Sequence, residues 1–392
     1  MRETNVNYLE LPVRKTFTVL NFDSLPEYWE PGLNFLVNID VKNIKQGQML
    51  VSKSEINNIL FNLQGIDNFP DFATEYFCSV DGLEEFDVIS LRPYSQRAQI
   101  LLRKQDIHHT VFLTNRCNSY CLMCSQPPTK NDDSWLISEA IEIAKHLLFE
   151  PDILGFTGGE PTLLGDDLRI LIESYHQRLP NTQFDILTNA RRIGDSSYAQ
   201  SLLSELKAPV SWMVPLYGHA DLIHDYIVQS KGAFHQTING LLNLKKYRQS
   251  IQLRLVLTKT VLENLEQLGD FIIRNLPFVK EVAIMGCEPI GFALSNTQEC
   301  NVDISEFNTS LSNTLSRLAH AELNPILMNI PHCQLPREIH KYAVQSISDW
   351  KQVYEKECEE CELIDRCCGV FKWNSSKWKK PKLTKIIQKE IV

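Results

Sequence analysis

Short runs near the start of the chain alternate apolar and polar residues: 15–21 (KTFTVLN), 86–91 (FDVISL) and 98–103 (AQILLR). That period of two, carried by β-branched and aromatic side chains, predicts strands. A helical spacing over 53–63 interrupts them. Residues 1–105 are therefore expected to form a small β-rich N-terminal domain.

Beyond residue 108 the period switches back and forth between two and 3.6. Apolar runs at 110–113, 153–157, 184–187, 210–216, 251–257 and 279–285 predict six strands. Amphipathic stretches at 134–149, 166–177, 196–206, 233–247 and 262–275 predict helices between them. In the first helix Leu136, Ala140, Ile143, Ala144 and Leu147 fall near one face, the stripe of a helix packed on a core. Six βα-like units in a row imply a parallel sheet with helices outside. The expected fold class is α/β, with a partial (β/α)6 barrel of the TIM type over 106–293. A C-terminal, cysteine-rich region follows over 294–392, opening with a helical pattern at 304–320. In such sheets chemistry gathers at the C-terminal ends of the strands.

Composition narrows the class. The 392 residues are 43% hydrophobic and 22% charged, ordinary for a globular chain with a sizeable core. No apolar run approaches the ~18 residues a membrane span needs. The opening MRETNVNYLELPVRK lacks the apolar core of a secretory signal. A cytoplasmic protein with no membrane partner is expected. The net charge of -9 argues against broad nucleic-acid binding, which relies on Lys and Arg to neutralise phosphates. The tail departs from this balance, with Lys372, Lys377, Lys379, Lys380, Lys382, Lys385 and Lys389 beside Trp373 and Trp378. Contact with an acidic peptide or RNA is one reading; a solvated, frayed terminus is the plainer one.

Seven of the eleven cysteines fall into two groups at short spacing. In a reducing cytosol such groups are more often ligands than disulfides. The first group is Cys117, Cys121 and Cys124 in TNRCNSYCLMCSQPPT, a C-x3-C-x2-C spacing just after the predicted strand 110–113. A structural zinc site would want a fourth ligand nearby. A thioredoxin-type motif would leave Cys117 without a task. Three thiolates can instead hold a [4Fe-4S] cluster with one iron open, as a catalytic metal site keeps one position free. The end of the next predicted strand carries Thr157, Gly158, Gly159, Glu160 and Pro161.

Together these two motifs resemble the signatures of the radical S-adenosylmethionine (SAM) superfamily. The resemblance implies that Cys117, Cys121 and Cys124 are the catalytic ligands of a [4Fe-4S] cluster whose open iron is chelated by SAM. It implies cleavage of SAM to methionine and a 5′-deoxyadenosyl radical that takes a hydrogen from the substrate. The hard chemistry is the cofactors'; the protein positions them. Gly158 and Gly159 are expected to allow close backbone approach to SAM. Thr157 and Gly158 would offer polar backbone groups to its ammonium, and Glu160 and Pro161 would shape that edge. Tyr120 is a candidate adenine neighbour. Asn189 and Ser211, on the third and fourth strands, are candidate ribose or SAM contacts, with an ordinary barrel-rim place as the competing reading. Arg254 stands among Leu and Val in QLRLVLT. A buried charge needs an anion, and the SAM carboxylate is its candidate partner.

The second group is Cys358-x2-Cys361-x5-Cys367, followed by Cys368, with Cys333 upstream in HCQLP. It resembles the SPASM and shorter twitch auxiliary-cluster extensions of the same superfamily. That implies a second, auxiliary [4Fe-4S] cluster on Cys333, Cys358, Cys361 and Cys367. A four-cysteine zinc site uses the same ligands and stays open. Cys368 stands where Gly often follows the last ligand and is an alternative ligand or a spare thiol. Cys78, Cys287 and Cys300 have no partner at metal spacing and read as buried or incidental. Cys287, however, ends the sixth strand at the end where chemistry is expected. His219 and His224 are candidates to line the substrate opening, with plain surface or core histidines as the default.

The runs HHTVFLTNRCNSYCLMCSQPP, MGCEPIGFA and SISDWKQVYEKECEECELIDRC are similar to the HxsC-type radical SAM maturase family of the His-Xaa-Ser system. This implies modification of a ribosomally made precursor peptide and a second radical SAM enzyme as partner. It also implies an electron donor such as flavodoxin or ferredoxin, and gives residues 1–105 a candidate role in substrate recognition. Two alternatives stand beside it. One is a two-cluster enzyme acting on a small molecule in cofactor biosynthesis. The other is a non-catalytic Fe–S electron-transfer partner, which would not need Gly-Gly-Glu-Pro.

Overall fold

The structure is a computed structural model that describes residues 2–7, 11, 13–26, 30, 32–39, 59–63, 77–92, 95–373 and 375–387. The chain divides into two compact units. One comprises Met1–Phe112, Ser134–Leu154 and Ser174–Thr182; the other comprises Leu113–Asp133, Gly155–Glu173 and Gln183–Val392.

The first unit is built on seven strands: β1 (Arg2–Asn7), β2 (Lys15–Asn21), β3 (Phe35–Ile39), β4 (Ile59–Leu63), β5 (Phe77–Val80), β6 (Val88–Leu91) and β7 (Arg97–Leu102). They close into a barrel in the order β1-β5-β4-β3-β2-β6-β7. Strands β2 to β5 pair in parallel. Alternate residues of these strands feed two separate cores, one with Val19, Leu36, Leu60 and Cys78, the other with Leu20, Phe35, Val37 and Phe61. Strands buried on both faces read as continuous apolar runs. This is where the expected helix over 53–63 fails. Ile59–Leu63 is strand β4, buried throughout, while 53–58 lie outside the described residues. Asn62, the polar member of that run, satisfies both the N–H (2.7 Å) and the carbonyl (3.0 Å) of Val80, so its burial is compensated. Burial pushes the Cys78 thiol up to about 12, as for an inert core sulfur.

The second sheet has the order β14-β13-β12-β11-β10-β9-β8. Its strands are β8 (His109–Phe112), β9 (Ile153–Thr157), β10 (Gln183–Leu187), β11 (Val210–Pro215), β12 (Ser250–Val256), β13 (Glu281–Met285) and β14 (Asn324–Met328). β10 to β14 pair in parallel, with helices such as Ser196–Leu203, Ala233–Lys246 and Asn308–His320 between them. The chain is thus of the α/β class. Six strands were expected; β14 is a seventh, within 294–392. Its run NPILM carries Pro325, which an edge strand tolerates because one side of its ladder is free. The helix expected over 262–275 breaks at Asn264, whose φ of -117° and ψ of 16° are not helical, into Lys259–Glu263 and Leu265–Asn275. No described helix is long and apolar enough to cross a membrane.

Along β10, β11 and β12 burial alternates. Ile186, Trp212, Val214, Leu253 and Leu255 are fully buried. Asp185, Ser211, Met213, Gln252 and Arg254 form the other, half-buried face. A polar second face on a parallel sheet is a face with something to bind.

Candidate active site

The loop after β8 carries Cys117, Cys121 and Cys124, and three backbone neighbours pin it. From the Gly-Gly-Glu-Pro turn, Gly159 N–H donates to Thr114 O (2.6 Å) and Glu160 N–H to Arg116 O (2.8 Å). From the helix Asp221–Val228, the carbonyls of Val228 and Ile227 accept from Tyr120 (3.0 Å) and Leu122 (2.9 Å). From the turn Gly291–Leu294, Phe292 N–H donates to Cys124 O (2.8 Å). Inside the loop, the buried Asp133 carboxylate accepts from Thr114 Oγ1 (2.8 Å) and Asn115 N–H (2.5 Å).

The glycines answer to this packing. A Cβ on Gly158 would stand 2.5 Å from Thr114 O, and one on Gly159 would overlap Arg116 O. Gly291, at φ +63°, would overlap Cys124 O in the same way. The close approach expected toward SAM is thus, on this face, an approach to the cysteine loop itself.

Glu160 is the hub beneath the loop. It is 1% exposed, and its carboxylate accepts from Thr162 N–H (3.0 Å), Thr162 Oγ1 (2.6 Å), Thr188 Oγ1 (2.6 Å) and Asn189 N–H (2.7 Å). It caps the short 3-10 turn Pro161–Leu164, with Pro161 at its first position, where a missing N–H costs nothing. Thr157 ends β9 with its carbonyl accepting from Leu113 N–H (2.8 Å). Asn189 reaches from β10 to the cysteine loop. Its amide donates to Asn118 Oδ1 (2.6 Å) and lies 4.0 Å from Cys117 Sγ.

Other expected residues are placed differently. Tyr120 is 44% exposed, so its ring lies at the surface of the loop. Ser211 pairs with Ser250 while Pro215 pairs with Arg254. Ser211 therefore sits four rungs, about 13 Å, toward the amino end of the sheet from Arg254, away from the end that carries the cysteines. Arg254 is half-buried, but its Nε atom is buried with no hydrogen-bond partner. Such a donor fits an absent anion. Burial holds its guanidinium below the usual range, against the pull of Tyr217, Asp185 and Glu281.

Two site residues escaped the sequence. Arg191 donates to Asn118 O and to Ser119 Oγ (2.9 Å), and Cys117 and Cys121 both act on its charge. Tyr217 is buried, its hydroxyl pushed well above its ordinary range by burial and by the charges of Cys121 and Cys124, with Arg254 opposing. Each is a single residue in a loop after a strand, without a periodic or spacing signal. His224 is a core residue. Its Nδ1 accepts from Tyr217 N–H (3.2 Å), and burial brings its ring down to about 4. His219 is half-buried. Cys287 and Cys300 are neighbours, with the Cys287 thiol directed at Glu288 O (3.8 Å) and the Cys300 thiol at Leu122 O (3.7 Å).

Burial raises all three loop thiols, Cys117 to about 11 with a further push from the Glu160 carboxylate. Buried thiols with raised values become thiolates only against a bound positive charge, as a metal supplies. With the unpartnered Arg254 donor, this donor set fits an iron–sulfur cluster carrying an anionic ligand.

The second cysteine group also comes together. Cys333, Cys358, Cys361 and Cys367 line one cavity with His332, Tyr354, Leu383 and Thr384. Cys368 is outside that lining and 1% exposed. Its neighbours, Cys368 first and then His332, bring the Cys367 thiol down to about 4. The Cys368 thiol itself donates to Gly369 O (3.4 Å). Among the described residues, no three His, Cys, Asp or Glu side chains stand close enough to hold a single metal ion.

A parallel α/β sheet with a three-thiol loop and an unpartnered cationic donor fits a cluster-binding, cofactor-dependent protein. Residues 111–272 match the family model of the Radical SAM superfamily. The match supports that superfamily, and with it a [4Fe-4S] cluster and SAM. An uncharacterized protein of Methanocaldococcus jannaschii is 27% identical over 218 residues, 54% of this chain and 71% of that protein. Among solved structures, anSMEcpe with bound AdoMet and the Cp18Cys peptide shares 17% identity at a TM-score of 0.44, over 57% of this chain and 63% of that one. A radical SAM methyltransferase from Sphaerobacter thermophilus shares 13% identity at 0.42, over 62% and 73%. Neither likeness bears on the reaction.

Proposed function

We propose that this radical SAM enzyme modifies a ribosomally made peptide, with a His-Xaa-Ser repeat peptide as the expected substrate. We further propose that Cys333, Cys358, Cys361 and Cys367 hold an auxiliary [4Fe-4S] cluster. The observation that supports this most is the convergence of those four cysteines, from 35 residues of sequence, on one cavity. When bound, the first cluster and SAM supply reductive cleavage to methionine and a 5′-deoxyadenosyl radical.

The chain's own residues then have definite tasks. Cys117, Cys121 and Cys124 ligate. Glu160 and Asn189 hold the loop that presents them. Arg254 offers its free Nε to the SAM carboxylate, a charge-assisted bond. Arg191 places a cation beside the ligands. The barrel of the first unit is proposed to recognise the precursor. A second radical SAM enzyme and a flavodoxin or ferredoxin are the proposed partners, and the cytoplasm the proposed location.

The deciding experiment is anaerobic co-expression with a His-Xaa-Ser repeat peptide, followed by mass spectrometry. A mass change in the peptide, lost with Cys121→Ala, is the expected result. An unmodified peptide alongside SAM cleavage by the purified enzyme would point to a small-molecule substrate.

A further inference from the structure

We propose that the segment 382–387 is a strap whose backbone N–H groups bind the sulfur ligands of the auxiliary cluster and raise its reduction potential. This rests on the reading of Cys333, Cys358, Cys361 and Cys367 as cluster ligands.

The segment meets two ligand sulfurs through its backbone, one by a hydrogen bond. Ile386 N–H donates to Cys361 Sγ at 3.4 Å, within range for a bond to sulfur. The Thr384 backbone lies beside the Cys333 sulfur, and both line the same cavity. Leu383 and Thr384 also form part of the cavity wall. The segment is fastened beside these same two ligands. Gln334, next to Cys333, donates from Nε2 to Lys382 O (2.5 Å). Glu360 and Glu362 flank Cys361: one pairs with Lys385 Nζ at 2.5 Å, and the other donates its N–H to Ile386 O at 3.1 Å. Arg337 donates to Ile387 O (3.3 Å). The tail that reads as a solvated basic run is, over these residues, tied to the ligand loops at both ends.

The physics assigns a direction. An N–H dipole aimed at a ligand sulfur stabilises the more negative, reduced cluster more than the oxidised one. Hydrogen bonds to the sulfurs and reduced solvent access are established levers on such potentials. Among the described residues, no strap hydrogen bond reaches the other two ligand sulfurs. Cys367 has Cys368 and His332 beside it instead, and Cys358 has the Glu355 backbone. Thr384 and Ile386 are therefore positioning residues: they act on the cluster through Cys333 and Cys361.

The test uses the full chain carrying Cys117→Ala, Cys121→Ala and Cys124→Ala, reconstituted with iron and sulfide, so that only the auxiliary site reports. Iron and acid-labile sulfide in the ratio of a [4Fe-4S] cluster are expected. Zinc alone, or no metal, overturns the cluster reading and the strap with it. On that background Ile386→Pro removes the N–H, whereas Ile386→Val keeps it. Ile386→Pro should move the midpoint potential downward and speed iron loss to a chelator several-fold; Ile386→Val should leave both unchanged. Equal potentials in the two variants overturn the strap while leaving the cluster in place. Should Ile386→Pro not load, isoleucine-specific 15N labelling of the unsubstituted strap decides. A 15N coupling on the reduced cluster is expected, and its absence overturns the proposal.

Discussion

Glu288 accepts a hydrogen bond from the indole of Trp373, Nε1 to Oε1 at 2.8 Å, across 85 residues of sequence. Lys351 Nζ completes the pairing at 3.0 Å from the same oxygen. Glu288 follows Cys287 beyond the end of β13, and Trp373 follows the last cysteine of the second group. One carboxylate thus joins the carboxyl end of the parallel sheet to the segment bearing the auxiliary cysteines.

Removing the indole donor should loosen that joint without unfolding the sheet. Trp373→Phe keeps the ring and leaves Glu288 paired with Lys351. A loss of about 1 kcal/mol is expected, the net worth of one such bond, read from the denaturant midpoint. The visible absorption of the first cluster should be unchanged. No loss of stability would mean that Lys351 alone makes the joint.

The two cysteine groups should separate by function. Any of Cys117→Ala, Cys121→Ala and Cys124→Ala should abolish 5′-deoxyadenosine formation from SAM and a strong reductant. Cys361→Ala should retain part of that formation while stopping peptide modification. Product at the wild-type level in Cys361→Ala would make the auxiliary site purely structural.

Arg254 carries a buried donor with nothing to bond. A hydrogen bond to a charged group contributes roughly 1.5–3 kcal/mol, so Arg254→Gln should weaken SAM binding by about ten- to a hundred-fold. Equilibrium binding to the loaded protein measures this. Unchanged affinity would assign Arg254 to Asp185 and the sheet's own charge balance.

Much of this was legible in the order of apolar runs. The βα alternation from 110 to 285 survives in β8 to β13: β10, β11 and β12 show a period of two, and the apolar runs of β9 and β13 are set off by the helical patterns around them. β14 was hidden by Pro325, and the helix break by Asn264, a residue that looks innocuous in a helical pattern. The strand at 59–63 was misread because a short run buried on both faces has no period. The two cysteine groups stand out by spacing, and Arg254 by its apolar neighbours. Arg191, Tyr217 and the Glu288–Trp373 bond did not. They are single residues whose partners lie far away in sequence, and pairing of that kind exists only after folding.

Gly159 tests the contact that holds the cysteine loop. A methyl there would overlap Arg116 O, and neither backbone can yield, since Glu160 N–H is bonded to that same oxygen. Gly159→Ala should cost about 1–3 kcal/mol, the range for overpacking, and lower the iron content of the first cluster. Full iron content at unchanged melting temperature would show that the loop shifts freely.

Asp185 predicts a pH dependence with a definite sign. It lies on the half-buried face of β10, where burial raises its carboxyl to about 6, with Glu281 adding to the rise and Arg254 opposing it. A carboxyl whose folded value lies above its unfolded value of about 3.9 binds its proton more tightly folded than unfolded. Stability therefore falls as pH rises from about 4 to about 6, and the penalty persists above that. The raw shift corresponds to roughly 3 kcal/mol, and solvent screening of a partly exposed group reduces it to on the order of 1–2 kcal/mol. Asp185→Asn removes the ionisation. At pH 7.5 it should be the more stable protein by that amount, and the difference should close as pH approaches 4. Urea unfolding of both proteins between pH 4.5 and 7.5 gives the comparison. A difference that stays constant across that range would place the effect in packing, because a neutral amide and a neutral acid differ little there while a carboxylate does not.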